Sequence, residues 1–172
     1  MLVTSLAAFA IVLATDALYV AVINAQGPTD PMVYVPRFVA SYLAVTAALI
    51  VIALLPRHEI AAIRVPMRAA AAAGLLVAGL IGAFSIGLPL VVAGILTTVA
   101  LTRTTRLPGS RGGRLFGLVA AALAVGVLLG GLEVTMRVVV CPETGTSSGG
   151  GSGLVTGPYH YECDNGRLHW SS

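Results

Sequence analysis

The side chains in this chain that could take part in chemistry are few, and their positions sort them into two groups. Asp16, Glu133 and Arg137 lie within long apolar runs, whereas Cys141, His160, Cys163 and His169 lie in the polar stretch after the last run. A carboxylate inside an apolar helix serves as a proton or cation site, or as a hydrogen-bonding group that fixes helix packing. For Asp16 the packing role is favoured, with Tyr19, Tyr42, Ser41 or a neighbouring arginine as the expected partner, because a transport path needs more than one deep acidic group. Glu133 and Arg137 are four residues apart with the acid first, the favourable order for an ion pair along one helix face. Close to a helix end such a pair stays charged by bending toward water, so structural pairing outranks catalysis or transport. If Asp16 and Glu133 share a polar pocket, an Asp16–Arg137 contact is the first to expect.

Cys141 and Cys163 are the only two cysteines. In a tail expected to face an oxidising compartment they read as a disulfide, whose closure the loop-entropy argument values at about 3 kcal/mol. A zinc site built from Cys141, His160, Cys163 and His169 is the alternative; the ligand types suit, but the spacing matches no compact finger. A Cys-x-x-Cys pair is absent, which argues against thiol redox chemistry. Ser85 lacks both a nucleophile elbow and a histidine within the apolar part of the chain. No catalytic, cofactor-binding or metal-binding residue is assigned, and no cofactor is expected.

The elements that must position these groups are membrane helices. The chain has 172 residues, of which 57% are hydrophobic and 10% charged, with a mean hydropathy of +0.93. A soluble domain has an apolar share of about half and a charged share of about a quarter. The formal charge of +3 does not point to nucleic acid, because the arginines form short clusters between apolar runs rather than one basic face. The absence of lysine and the excess of Ala, Gly and Val suggest a GC-rich bacterial source.

Apolar runs predict five helices, over about residues 2–23, 38–55, 69–86, 89–102 and 115–137. The first is read as a retained span rather than a signal peptide, since it lacks a basic leading region and is interrupted by Asp16. Pro28, Pro31 and Pro36 punctuate the loop before the second helix. Glu59 to Met67 reads as a short amphipathic surface turn, and the adjoining His58 as a solvated loop residue. The apolar stretch 69–102 would extend about 51 Å as one helix, too long for a hydrocarbon core of about 30 Å. It therefore divides into a hairpin at Ile86-Gly87-Leu88-Pro89, with Gly87 ending one arm in the left-handed conformation and Pro89 in the first turn of the next.

Two stripes of small residues are expected to pack helices closely in lipid: Ala70, Gly74, Ala78 and Gly82 in the third helix, and Ala122, Gly126 and Gly130 in the fifth. The fifth-helix stripe continues to Glu133 and Arg137 and is expected to face the Gly74 and Asp16 helices. Arg57, Arg64, Arg68, Arg103, Arg106, Arg111 and Arg114 fall on one side, against Arg37, Arg137 and Arg167 on the other. The arginine-rich side is expected to be cytoplasmic, which puts the N-terminus inside and the tail outside.

In the tail, 141–172, the Gly/Ser-rich segment from Thr144 to Gly157 reads as a flexible loop. Alternation on either side of Asp164-Asn165-Gly166 reads as a β-hairpin. Tyr159, Tyr161 and Trp170 are expected either as an interfacial belt or as anchors for a partner. The resulting expectation is an all-α, five-helix bacterial plasma-membrane protein with a disulfide-closed extracytoplasmic tail. Its expected task is that of a non-enzymatic accessory or assembly subunit, partnered by the bilayer and by other membrane subunits or copies of itself. The alternatives are a proton- or cation-coupled carrier using Asp16 and Glu133, and a membrane enzyme with an outer-face site.

Overall fold

The computed structural model of the chain describes residues 2–26, 33–55, 63–83, 85–105, 111–153 and 156–171. The described residues form helices α1 (Leu2–Gln26), α2 (Tyr34–Leu54), α3 (Arg64–Ile81), α4 (Gly87–Thr105) and α5 (Arg111–Arg137). Strands β1 (Thr146–Gly153), β2 (Gly157–Asp164) and β3 (Arg167–Ser171) follow. The loop prolines Pro28 and Pro31, and Arg57, His58, Glu59 and Arg106 of the basic loops, lie outside the described residues.

Four helices, α1, α2, α3 and α5, are long and apolar enough to cross a membrane, while the apolar part of α4, Gly87–Arg103, is shorter. Several threonine hydroxyls within the helices turn back onto their own backbone. Thr15, Thr46, Thr97, Thr98 and Thr135 each donate to the carbonyl one turn earlier, so they open no polar path between helices. The end of α2 leaves carbonyls without helical partners, and arginines of α3 supply donors: Arg64 Nη2 to Leu55 O at 2.6 Å and Arg68 Nη2 to Ala53 O at 3.4 Å. These two side chains thus join α2 to α3 in addition to any effect on topology.

The core lies among the first four helices, where Ala8 and Val12 of α1 meet Leu43, Ala47 and Ile50 of α2, Ala71 and Leu75 of α3, and Leu90 and Ala93 of α4. Helix α1 packs on α2 and α4, and α5 packs on α3 and α2. Close approaches fix the directions. Gly117 of α5 lies against Val65 and Ala69 at the start of α3, so these helices run the same way. Gly131 of α5 lies against the Phe38 ring at the start of α2, so that pair runs in opposition. Gly79 meets Val91 and Gly94 meets Leu76, which makes α3 and α4 the expected hairpin. The clusters carrying Arg64 and Arg114 therefore share one end of the bundle, and the tail leaves from the other.

Two local details differ from expectation. The expected surface turn ending at Met67 is already helical from Arg64, with Pro66 in the first turn of α3 where its missing N–H costs nothing. The first arm of the hairpin ends at Ile81 and is capped by Gly82 at φ −86°, not by a left-handed Gly87. Gly87 is instead required by closeness, since a methyl group there would collide with the Gly79 carbonyl.

Beyond α5 the chain is not all-helical. The strands form an antiparallel sheet in the order β1-β2-β3, and the Gly/Ser segment expected as a flexible loop supplies β1. Thr146 pairs with Asp164 and Gly153 with Gly157, while Asp164 pairs with Arg167 across the β2–β3 turn. Asn165 and Gly166 adopt φ of 44° and 81°, the positive values that a two-residue type I′ hairpin demands.

Tyr42 of α2 links three helices. Its hydroxyl donates to Ala124 O of α5 at 3.0 Å, and its ring fills the space left by the absent side chain of buried Gly74 in α3. Gly74→Ala should therefore displace the ring and lower stability by about 1–3 kcal/mol, the cost of overpacking together with a lost hydrogen bond. Tyr42→Phe, which deletes the bond alone, should cost about 1 kcal/mol. Thermal unfolding of the detergent-solubilised chain checks both, and a stabilised Gly74→Ala variant would contradict the packing described.

Candidate functional site

The side chains that gather in one place do so where α5 meets the sheet. Strand alternation and pairing put Tyr159, Tyr161 and Cys163 of β2 on the same sheet face as Leu168 and Trp170 of β3. Gly149 and Gly151 of β1 share that face, and the tyrosine rings lie across them. A methyl group at Gly149 would collide with the Tyr161 hydroxyl, and one at Gly151 would stand 2.8 Å from that of Tyr159. Aromatic rings covering cross-strand glycines supply the side-chain packing that glycine itself lacks, which is how so poor a strand former holds its place in the sheet. Trp170 completes the cluster, with ring centroids 5.6 Å from Tyr159 and 6.2 Å from Tyr161.

The other sheet face carries His160, Glu162, Asp164, Arg167 and His169, all exposed. It is turned away from Cys163, which is fully buried and bonded to Cys141 across a Cα separation of 5.5 Å. The disulfide uses both thiols, so the four-ligand zinc arrangement is not formed. Among the described residues, no three His, Cys, Asp or Glu side chains come together to hold a metal ion.

A second tie joins sheet and helix. Glu133, on the last turns of α5, accepts a hydrogen bond from the Thr156 hydroxyl at the turn between β1 and β2, and lies against Gly153. The same carboxylate oxygen stands 3.5 Å from Arg137 Nε; the Glu133 side chain is 13% exposed and that of Arg137 51%. The expected ion pair is thus present, and it is also the seat of the sheet. Between them helix and sheet enclose a cleft of about 400 Å³ lined by Arg137, Thr156, Gly157, Pro158, Tyr159 and Trp170. Asn165 braces the far end of the sheet, accepting from Gly145 N through Oδ1 and donating from its own N–H to Gly145 O.

Asp16 is not part of this site. Its helix packs mainly on α2 and α4, whereas α5 packs mainly on α3 and α2, and Arg137 pairs with Glu133 in place of the expected Asp16. Its Oδ1 is buried without a hydrogen-bond partner among the described residues, while Ser41 donates to Arg37 O and Tyr42 to Ala124 O. A cavity of about 120 Å³ among the helices has Tyr19, Tyr42 and Ser85 in its wall, with neither Asp16 nor Glu133 among its described lining.

Of the small-residue positions, Gly74 makes the close approach to Tyr42, Ala78 lies against the core, and Gly82 sits at the hairpin turn. Gly126 and Gly130 face open space instead of the Gly74 helix. Helix α5 uses its other small face, with Gly117 and Gly131 in contact and Ala124 offering its carbonyl. Both faces have small residues at helical spacing, so spacing alone does not select between them. Phe38, Gly131, Thr156 and the paired glycines of β1 were not singled out from the sequence; the tyrosines at 159 and 161, two apart like Gly149 and Gly151, are the one signal that points to such pairing.

Comparison with family models, with curated proteins and with solved structures finds no match to this chain.

The sheet should depend on its staple and on its glycines. Cys141→Ser with Cys163→Ser should lower tail stability by about 3 kcal/mol. Gly149→Val should open the Tyr161 packing even though valine is the better strand former. Both variants should speed proteolytic cleavage within 146–171 while leaving the thermal unfolding of the helices unchanged; a tail as resistant as the parent's would contradict the assigned packing.

Proposed function

We propose that this chain is an integral membrane subunit without catalytic activity of its own, which assembles with other membrane proteins or with copies of itself and holds its tail sheet toward them on the extracytoplasmic side. The observation that carries the reading is the double attachment of the sheet to α5, by the Cys141–Cys163 bond and by Glu133 with Thr156. A tail serving only as a tether needs neither tie. Fixing its orientation against the helix makes it a platform, and a preorganised surface loses less freedom on binding.

The face of α5 below the platform supports the same reading. Ala122, Gly126 and Gly130 are exposed, and a side chain at either glycine would meet nothing. In lipid, small residues at this spacing let helix backbones come together through packing and not through expulsion of water. An apolar groove of about 440 Å³ between α2 and α5, bordered by Val45, Leu49, Leu123 and Val127, flanks that face. A helix of another subunit fits such a surface. The arginine-bearing end of the bundle, with Arg64, Arg68, Arg103 and Arg114, is the cytoplasmic end by the positive-inside rule, and the source is a bacterial plasma membrane.

The carrier reading rests on Asp16 with its unpartnered oxygen. Glu133 is engaged by Thr156 and Arg137, which leaves that reading without a free second acid.

Purification of the intact chain in mild detergent, with chemical cross-linking before solubilisation, tests the proposal. A defined cross-linked complex should be recovered. Gly126→Leu with Gly130→Leu should release it while leaving the chain's own thermal midpoint unchanged, because both positions are open. Asp16→Asn should leave the complex intact. A lone monomer under these conditions, or a complex indifferent to the leucines, would overturn assembly through α5.

A further inference from the structure

The cleft between α5 and the sheet combines three features. Its cation is Arg137, the last residue of α5. Glu133 meets the guanidinium at Nε, and the two terminal amino groups have no partner among the described residues. The Arg137 side chain is half exposed at the cleft, and the planar fork of a guanidinium matches two oxygens of a phosphate. Tyr159 and Trp170 line the same cleft, with ring centroids 5.6 Å apart and ring planes tilted by 49°. Amphipathic rings of this kind sit at the level of lipid headgroups.

Depth selects the ligand. The apolar span of α5, Gly113–Arg137, has 25 residues, which rise about 37 Å against a hydrocarbon core of about 30 Å. Arg137 thus emerges beyond the acyl chains, at the height of the phosphates. The charged groups of the outer sheet face, Glu162, Asp164 and Arg167, belong to the opposite side and do not line the cleft.

We propose that the cleft formed by Arg137, Tyr159 and Trp170 binds a phosphate-bearing anion, supplied by the headgroup of an anionic phospholipid of the extracytoplasmic leaflet. Arg137 takes the phosphate through its fork, and the two rings pack against the glycerol portion. This rests on the membrane reading above, since the phospholipid reaches the cleft only if α5 spans a bilayer.

Trp170 is the chain's only tryptophan, so its fluorescence reports the cleft directly. Titration of the full chain in neutral detergent with short-chain phosphatidylglycerol should give a saturable fluorescence change. Arg137→Gln should raise the half-saturating concentration at least about tenfold, the effect of losing one charge-assisted contact, and Arg137→Lys should fall between. Arg167→Gln, on the other sheet face, should bind as the parent does. Phosphatidylcholine matching phosphatidylglycerol, an unaffected Arg137→Gln, or an equal loss in Arg167→Gln would each overturn the site. Saturation by inorganic phosphate at the same concentration would overturn the lipid source. Native mass spectrometry of the unaltered protein from an equal mixture of the two lipids requires no variant: retained phosphatidylglycerol in excess supports the proposal, and equal retention refutes it. Alkaline carbonate washing separates the two failures. Release of the chain from membranes refutes the spanning reading, whereas retention together with equal lipid binding refutes the cleft alone.

Discussion

Everything on the tail side of the bundle depends on how the end of α5 is joined to the sheet. A three-stranded sheet with strands of 8, 8 and 5 residues, the first made only of Gly, Ser and Thr, has little apolar surface with which to hold itself in place. The Cys141–Cys163 bond shortens the excursion the tail can make, and Glu133 receives Thr156 where β1 turns into β2. With both ends of β2 held, Tyr159 and Tyr161 lie over the glycines of β1, and Trp170 closes the cluster from β3. Burial of Tyr161 and Cys163 follows from that arrangement and in turn protects the disulfide.

The same economy of polar groups governs the helices. Their threonines satisfy themselves locally, Tyr42 spends its hydroxyl on a carbonyl of α5, and two arginines of α3 serve the open end of α2. Glycine does the corresponding steric work: Gly74 admits the Tyr42 ring, and Gly131 admits Phe38. For helices this apolar, four of them long enough to cross a membrane, close packing and a few interhelical hydrogen bonds are what order the bundle. Asp16 is the exception, with a buried oxygen that nothing described satisfies. Burying a polar oxygen without a partner is costly, so this position is a local weak point of the bundle.

The junction of α5 and the sheet serves both proposals because it fixes orientation. A platform for a partner and a cleft for a headgroup each need the sheet held at a set angle to the helix. The Glu133–Arg137 pair contributes to both, seating Thr156 on one side and presenting the guanidinium on the other.

Local pattern was enough to establish the helices, the hairpin of α3 and α4, the Asn165-Gly166 turn, the Glu133–Arg137 pair and the pairing of the cysteines. Each follows from composition or from contacts within a few residues, or, for the cysteines, from there being one possible pair. Tertiary structure alone decided which small face of α5 packs inward, that Glu133 is engaged by Thr156, and that a Gly/Ser run forms a strand. Those outcomes turn on partners far away in sequence: Phe38 for Gly131, Tyr42 for Gly74 and the tyrosines of β2 for the glycines of β1. A glycine has no side chain with which to announce its neighbour, so its position carries meaning only once the ring that occupies the vacant space is known.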